Sequence, residues 1–418
     1  MYNLHLSAEQ LEFRDTLRDF VECEIKPVAL HPDRLQPFEK PLLTDLLEKA
    51  SQMGLRALAL PEEAGGAAAD TLTLCIVLEE LAAGDVDIAS ALAQTALLAR
   101  EIFTPDMSLE TREHLAKFTE DDRCHLALAG AHAEAVGWSY HRPFTESGGC
   151  PLTAVKQGSD WVINGTVPFV ANAPIAKLFA VVARTREAKP GARATSTFLV
   201  PRDTRGLTVG ETIRAIGGTA ATGAPGIRWH HGPGASVTFK DCRVAAARLL
   251  GKEGEGRLAG GVPALRGEPP LAAVNLGVGR AACEAAVEYA RIRRQGGRNI
   301  IEHQAIGGKL ADCALKLELA RTMIWKAAWA ADHPEALADR SLPALPLHAM
   351  ARIYAAEAVH EVTLYAAECF GAMGVMRDMP LQKYVHDGMV FLHSEEADTA
   401  SKLEIAEAVA GYQRPIAA

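Results

Sequence analysis

Residues 368–399 read ECFGAMGVMRDMPLQKYVHDGMVFLHSEEADT. Gly371 and Gly374 form a flexible elbow in this stretch, because glycine adopts backbone angles that other residues avoid. An amphipathic segment and an apolar run follow, and they lead to two adjacent carboxylates, Glu395 and Glu396. A carboxylate at the edge of a buried region loses hydration in its charged form and becomes a stronger base. The stretch therefore predicts a turn between helices and a group that accepts a proton near neutral pH.

The size and charge of the chain limit its class. It has 418 residues, enough for two or three domains, and a formal net charge of −9. The net charge and the lack of a long Lys/Arg run argue against a general nucleic-acid-binding protein. No apolar run reaches the roughly 18 residues of a membrane span. The start, Met1–His5, lacks the basic and apolar parts of a secretory signal, so we expect a cytoplasmic protein.

The cysteines predict buried thiols. There are eight, at positions 23, 75, 124, 150, 242, 283, 313 and 369. None forms a CxxC pair, which disfavours a zinc site. Most lie beside apolar residues in helical patterns, as expected of small buried side chains in a reducing compartment.

Three regions follow one another along the chain, and they predict an α+β multidomain fold. Residues 1–122 have helical patterns, with Ser7 as a predicted N-cap. Residues 123–256 form a predicted β domain, a barrel or sandwich, with a hairpin formed by Thr153–Lys156 and Trp161–Asn164. Residues 257–418 are helical again and predict a bundle. One bundle helix has an apolar stripe at Ile306, Leu310, Cys313, Leu317, Ala320 and Ile324.

Several motifs along the chain occur in an order and spacing that can be compared with known families. They are LSAEQLEFRDTLRDFVECEIKP (6–27), PEEAGG (61–66), DWVINGTVPFVANAPIAKLFAVVART (160–185), FKDCRV (239–244), LLGKEGEG (249–256), YARIRRQGGRNIIEHQAI (289–306) and the stretch 368–399. Together they resemble the acyl-CoA dehydrogenase family over nearly the whole chain. The resemblance implies an all-α N-terminal domain, a middle β domain and a C-terminal four-helix bundle.

The resemblance also implies an activity and partners. Family members bind FAD between the β domain and the bundle, usually as homotetramers. They remove the α-proton of an acyl-CoA thioester while the β-hydride passes to the flavin, and the product is the 2-enoyl-CoA. Electrons then leave through an electron-transfer flavoprotein. The protein itself supplies placement and the base.

Candidate FAD contacts on the bundle come from the matching motifs. Arg293 matches an arginine that reaches the FAD pyrophosphate of a neighbouring subunit, where a guanidinium fork suits phosphate oxygens. Gln304 matches a position close to the cofactor. Gly371 and Ala372 match the tight turn near the adenosine, and Thr399 is a further candidate contact. Each assignment has an alternative. Arg293 is otherwise a solvated arginine, Gln304 is otherwise a residue at the start of a helix, and the glycine turn is otherwise a plain helix stop.

Candidate FAD contacts on the β domain differ from the usual family residues. Phe169 and Ala171 match positions that pack on the isoalloxazine ring, where Trp and Ser or Thr are common. Phe169 still offers an aromatic face, whereas Ala171 offers only a backbone N–H. Leu128 and Gly130 offer backbone groups to the flavin.

Two carboxylates compete for the role of catalytic base. Glu395 matches the usual base position, although Glu396 and Ala397 replace the Gly-Thr turn that follows it in the family. The alternative for Glu395 is an acidic residue at a helix N-terminus, where the helix dipole favours it. Glu268 lies at or within one residue of a second base position used by some members. The alternative is that Glu268 has no catalytic role and is an ordinary acidic residue in front of a helix that starts at the following prolines.

The segment LALAGAHAEAVGWSYHRPF (126–144) departs from the family, which usually has Thr-Glu-Pro followed by Gly-Ser-Asp. His132, Trp138 and Tyr140 are candidates to replace the missing substrate contacts, or they shape a different pocket. The departures leave three functions open. The chain is an FAD-dependent acyl-CoA dehydrogenase, a same-fold flavin-dependent lyase or monooxygenase, or a degenerate subunit that forms hetero-oligomers with a related chain.

Overall fold

The computed structural model describes residues 5–34, 41–131, 150–185, 195–213, 230–259, 262–376, 378–393 and 398–411. The N-terminal part is helical. Its helices are α1 (Ala8–Phe20), α2 (Lys26–Ala29), α3 (Thr44–Gln52), α4 (Thr71–Gly84), α5 (Val86–Ile102) and α6 (Leu109–Glu120). The predicted cap of α1 is confirmed: Ser7 Oγ accepts from the Gln10 N–H at 3.1 Å, and Gln10 Oε1 accepts from the Ser7 N–H at 3.0 Å.

Helix α4 lies at the centre of this part. It is apolar on all sides, and each of its residues is buried, which is the pattern of a helix surrounded by other elements. Helices α1, α5, α7 and α8 contact it, the last two from the C-terminal bundle. The hydrophobic core therefore runs from the N-terminal helices into the bundle without a break.

The middle of the chain forms one sheet. Its strands are β1 (His125–Ala129), β2 (Leu152–Gln157), β3 (Asp160–Ala171), β4 (Ala176–Arg184), β5 (Thr195–Pro201), β6 (Leu207–Thr212), β7 (Gly234–Ala245) and β8 (Leu249–Leu250). The order is β6-β7-β3-β2-β4-β5-β8, with β1 parallel to β4. The predicted hairpin is β2–β3, in register from Leu152↔Gly165 to Gln157↔Asp160.

The C-terminal part is a bundle. It contains α7 (Ala264–Ile292), the short strands β9 (Arg294–Gln295) and β10 (Arg298–Asn299), then α8 (Gln304–Asp332), α9 (Glu335–Ala338), α10 (Leu347–Phe370), α11 (Leu381–His393) and α12 (Asp398–Ala410). The predicted apolar stripe lies on α8, where every member is buried except Ile306, which is half-buried. Helices α7, α8, α10 and α11 pack together, so the predicted fold class is confirmed.

The start of α7 corrects one expectation. The sequence placed Glu268 before a helix that begins at the prolines, but α7 begins at Ala264 and contains Pro269 and Pro270. A proline inside a helix leaves the carbonyl four residues earlier without its usual donor. Here the Arg100 guanidinium donates to the Arg266 carbonyl, at 3.1 Å, which compensates for Pro270.

Two further expectations concern the cysteines and the membrane. Six of the eight cysteines are buried, whereas the prediction of a buried thiol is wrong for Cys23, which is exposed, and Cys283 is half-buried. In the described part of the chain, no helix combines the length and apolar character that crossing a bilayer requires.

Candidate active site

The end of strand β3 presents an aromatic face. Phe169 and Ala171 lie two residues apart at the end of β3, where the pairing of β3 with β7 is irregular between Val167 and Val170. Both are half-buried. The ring of Phe169 packs edge-on against His230, with 4.6 Å between ring centroids. A Cβ at Gly234 would lie 2.0 Å from Cε2 of Phe169, so glycine at this position makes room for the ring.

The end of strand β1 offers backbone groups. Gly130 follows the strand with φ +78°, and a Cβ there would lie 2.2 Å from the Val182 carbonyl oxygen. Both the backbone angle and the space therefore require glycine. Leu128, two residues earlier, is half-buried and pairs with Ala180 of β4. Strand β1 pairs with β4 and also contacts β3, so the four predicted β-domain contacts lie on or next to two strands that touch each other.

The predicted elbow is present after α10. Gly371 has φ +58° and ψ −135°, a combination that essentially only glycine adopts. A Cβ at Gly374 would lie 2.5 Å from the Ala367 carbonyl oxygen. Phe370, the last residue of α10, stacks on Tyr289 of α7 with 4.1 Å between ring centroids. This stack places the elbow, including exposed Ala372, next to the end of α7.

Arg293 and Gln304 lie at that same end of the bundle. The Arg293 N–H donates to the Tyr289 carbonyl at 2.9 Å, and the Ile300 N–H donates to the Arg293 carbonyl at 2.8 Å. The β9–β10 hairpin therefore folds back over the end of α7 before α8 starts at Gln304. The side chains of Arg293 and Gln304 are both exposed, so they are available to a ligand or to another subunit.

Glu268 is the fifth residue of α7 and lies in an ion pair. Its Oε2 is 3.6 Å from Nε of Arg352 on α10. Arg352 also donates to Ser401 Oγ on α12, at 2.7 Å. These contacts tie the first turns of α7 to α10 and α12. This geometry favours a structural role for Glu268.

The structure adds a buried polar cluster that the sequence analysis missed. Lys383 and Asp387 on α11 pair at 2.6 Å, and both are nine-tenths buried or more. Burial alone would lower the pKa of Lys383, but the Asp387 carboxylate raises it above its usual range. Burial, together with the neighbouring Asp87, raises the pKa of the Asp85 carboxyl group at the start of α5.

The loop that precedes strand β7 contributes two residues to this cluster. His231 Nε2 lies 3.0 Å from the Asp387 carbonyl oxygen, and the Gly232 N–H donates to Asp87 Oδ1 at 2.8 Å. The i, i+4 spacing of Lys383 and Asp387 was the only local signal for the cluster. Nothing in the sequence indicates that a loop of the β domain would reach them.

Part of the predicted site lies outside the described residues. This holds for Glu395, Glu396 and Ala397, for the side chain of Thr399, and for His132, Trp138 and Tyr140. The described helix α11 ends at His393, two residues before Glu395. The roles of all these residues stay predictions.

Comparison with known proteins identifies the family. Three family models match successive parts of the chain: acyl-CoA dehydrogenase N-terminal domain (residues 7–105), middle domain (148–225) and C-terminal domain (266–395). The mitochondrial short-chain specific acyl-CoA dehydrogenase of Rattus norvegicus is 30% identical over 394 residues, 94% of this chain and 88% of that protein.

Solved structures share the fold. Butyryl-CoA dehydrogenase from Megasphaera elsdenii superposes with a TM-score of 0.79 at 24% identity, covering 98% of this chain and 100% of that one. PigA, solved with FAD and proline, superposes with a TM-score of 0.77 at 22% identity, covering 98% and 99%. The sequence matches extend over the same three parts as the fold, and the chain belongs to the acyl-CoA dehydrogenase family of oxidoreductases.

Proposed function

We propose that this protein is an FAD-dependent acyl-CoA dehydrogenase that converts an acyl-CoA thioester into the 2-enoyl-CoA. The observation that carries the proposal is that residues 230 and 231, in the loop before β7, contact both β3 and α11. The half-buried face of Phe169 contacts His230, and the adjacent His231 contacts α11, the helix that leads to Glu395. An aromatic face for a flavin and the helix that precedes Glu395 are thus linked through this loop.

The residues present fit FAD. Phe169 offers a surface for a flat ring, and Gly130 and Ala171 offer backbone groups beside it. Gly371 allows close approach of the backbone, because no atom lies within 4 Å of a Cβ built there. The exposed guanidinium of Arg293 suits a pyrophosphate. When bound, FAD supplies the acceptor for the β-hydride.

The protein's own part in the reaction is proton abstraction. Glu395 accepts the α-proton as general base. Hydrogen bonds to the thioester carbonyl, one of them from a backbone N–H near Glu395, make that proton acidic enough to remove. Glu268 remains the second candidate base, and its pairing with Arg352 speaks for Glu395. Electrons then pass to an electron-transfer flavoprotein, and the enzyme works as a homotetramer.

The test is anaerobic reduction of the flavin. Purified, FAD-loaded protein is mixed without oxygen with short, medium, long, branched and aromatic acyl-CoA thioesters. We expect at least one of them to bleach the visible flavin band and to yield the enoyl-CoA by mass spectrometry. If none bleaches the flavin, the proposal is wrong. Oxygen consumption, or release of a β-leaving group without net dehydrogenation, would instead identify a monooxygenase or a lyase.

Two matched variants assign the base within the same experiment. A general base contributes roughly 10²–10⁴-fold to a rate. We therefore expect Glu395→Gln to slow bleaching by about that factor, whereas Glu268→Gln retains most of the rate. The reverse pattern would assign the base to Glu268. A protein that purifies without FAD unless a related chain is present would instead be a partner subunit.

A further inference from the structure

The loop formed by residues 230–233, here called the histidine loop, lies where all three parts of the chain meet. It precedes β7 and contacts β3 through His230 and Phe169. It contacts α5 through the Gly232 N–H and Asp87 Oδ1, at 2.8 Å. It contacts α11 through His231, whose side chain is only 4% exposed.

His231 makes two separate contacts with α11. Its Nε2 lies 3.0 Å from the backbone carbonyl oxygen of Asp387. A carbonyl only accepts, so Nε2 carries the hydrogen, and this bond exists in both the neutral and the protonated ring. The ring also packs on Phe391, with 4.6 Å between centroids and planes inclined by 36°. The two contacts are one helical turn apart and hold the last half of α11.

The other side of the histidine loop is held at the start of α5, where His231 Nδ1 also lies 3.9 Å from Asp87 Oδ1. Asp85 Oδ1 accepts from the N–H groups of Asp87 and Ile88, both at 3.0 Å, and so caps α5. Asp87 in turn accepts from Gly232. The loop is therefore tied to the start of a long buried helix, and His231 transmits that fixed position to α11.

The first half of α11 has its own anchor. Lys383 and Asp387 form a buried ion pair within the helix. This ion pair holds the buried side of α11 between Lys383 and Asp387. It does not extend to Phe391 or to the residues after it. Placement of the last turn depends on contacts from outside the helix, and His231 provides one at Phe391 and another one turn earlier, at the Asp387 carbonyl.

We propose that His231 is a positioning residue that fixes the last turn of α11, the helix that precedes Glu395 in the sequence. The catalytic part of this inference, that His231 affects the reaction through α11, rests on the proposed function. Its structural part, the ordering of α11 from Asp387 to its end at His393, is measurable without any reaction.

The experiment separates the two contacts by substitution in the full-length, FAD-loaded protein. His231→Gln keeps a side-chain donor near Nε2 and removes the ring. His231→Phe keeps the ring and removes the donor, and His231→Ala removes both. His114→Gln is the matched control, because His114 is a buried histidine on α6, outside the histidine loop and α11.

The first readout is hydrogen–deuterium exchange of peptides from residues 385–401. A hydrogen bond and an aromatic contact each slow local opening by about threefold or more. We expect roughly tenfold faster exchange in this region for His231→Ala, with partial recovery in the Gln and Phe variants. Exchange elsewhere, and exchange in His114→Gln, should match the unsubstituted protein. Unchanged exchange at 385–401, or equally faster exchange over the whole chain, would overturn the inference.

The second readout is anaerobic flavin reduction by an acyl-CoA that bleaches the unsubstituted protein. We expect the limiting rate to fall about tenfold or more in His231→Ala, because misplacing a base is costly. The dissociation constant of the acyl-CoA should stay the same. If exchange changes as expected but no acyl-CoA reduces the unsubstituted protein, the positioning role is supported and the proposed function fails.

Discussion

His125 is a buried titratable residue at the joint between the N-terminal helices and the sheet. It begins β1 and is 4% exposed. Its Nδ1 lies 3.2 Å from Thr95 Oγ1 on α5, and Asn172 donates from the end of β3 to the Ala91 carbonyl at 2.8 Å. Burial lowers the pKa of His125 to about 4. The network is thus built around a neutral imidazole.

This burial predicts a loss of stability in mild acid. The pKa of an unfolded histidine is about 6.5, so the unfolded state takes up the proton first as the pH falls. Stability is fully present above pH 6.5 and is lost between about pH 6.5 and pH 4. Urea unfolding should show that the native protein loses about 2 kcal/mol more than His125→Gln between about pH 7.5 and pH 5.

The control for this prediction is His31→Gln, because the side chain of His31 is 58% exposed. This variant should follow the unsubstituted protein at every pH. Equal acid losses in His125→Gln and the unsubstituted protein would show that His125 is not held neutral.

Single residues were predicted well where their role is local. The Ser7 cap and the Gly371 elbow each depend on a few neighbouring residues, and the structure contains both. His125 and His231 carried no such signal. Their environments come from strands and helices distant in sequence, which no local pattern specifies.

At the scale of elements, α4 combines an apolar surface with two buried glutamates. Glu79 Oε1 lies 2.7 Å from Arg321 Nη2 on α8 and 3.3 Å from Arg280 Nε on α7. Glu80 pairs with Arg280 and with Arg18 on α1, both at 2.7 Å. Burial alone would lower the pKa of Arg321, but Glu79 raises it above its usual range. The two glutamates therefore join four helices by charge.

Removing one of these charges should be costly. Breaking a buried ion pair leaves an uncompensated charge and costs about 3–5 kcal/mol. The network adjoins a cavity of about 270 Å³ that Arg14 also lines. Arg280 keeps Glu80 and Arg321 keeps Glu318 when Glu79 is neutralised, and water in such a cavity would solvate both guanidinium groups. We therefore expect a loss at the lower end of that range, about 3 kcal/mol of unfolding free energy, for Glu79→Gln, measured by urea denaturation.

Glu318→Gln is the matched control for Glu79→Gln. Glu318 also pairs with Arg321, but its side chain is 70% exposed. Exposed pairs contribute about 1 kcal/mol or less. Similar losses in the two variants would mean that the position of Glu79 inside the bundle has no special effect.

The element boundaries show where sequence patterns fail. The sequence treated Pro269 and Pro270 as the start of α7, as proline usually is. The helix continues through them because Arg100, on α5, satisfies the Arg266 carbonyl. Glutamates at 79 and 80 were likewise not predicted to form a network, since their partners come from three other helices.

At the scale of the whole molecule, the predicted FAD contacts fall into two groups. The first group lies on or next to β1 and β3, two strands that contact each other, and consists of Leu128, Gly130, Phe169 and Ala171. Arg293, Gln304, Gly371 and Ala372 lie at the end of the bundle, joined by the Phe370–Tyr289 stack. Arg293 and Gln304 are exposed in the single chain. This arrangement suits the proposal that the bundle end of one subunit completes the FAD site of another.

Arg293→Gln should therefore weaken FAD binding without weakening the fold of the apoprotein. A hydrogen bond to a charged group contributes about 1.5–3 kcal/mol, so the dissociation constant of FAD should rise roughly tenfold to a hundredfold. Melting curves with and without added FAD measure this change in affinity, because ligand binding raises the melting temperature by mass action.

Arg291→Gln, an exposed neighbour, is the control. If FAD binding is shared between subunits, dilution to monomers should release FAD from both variants. Equal FAD affinity in Arg293→Gln and Arg291→Gln would remove Arg293 from the site.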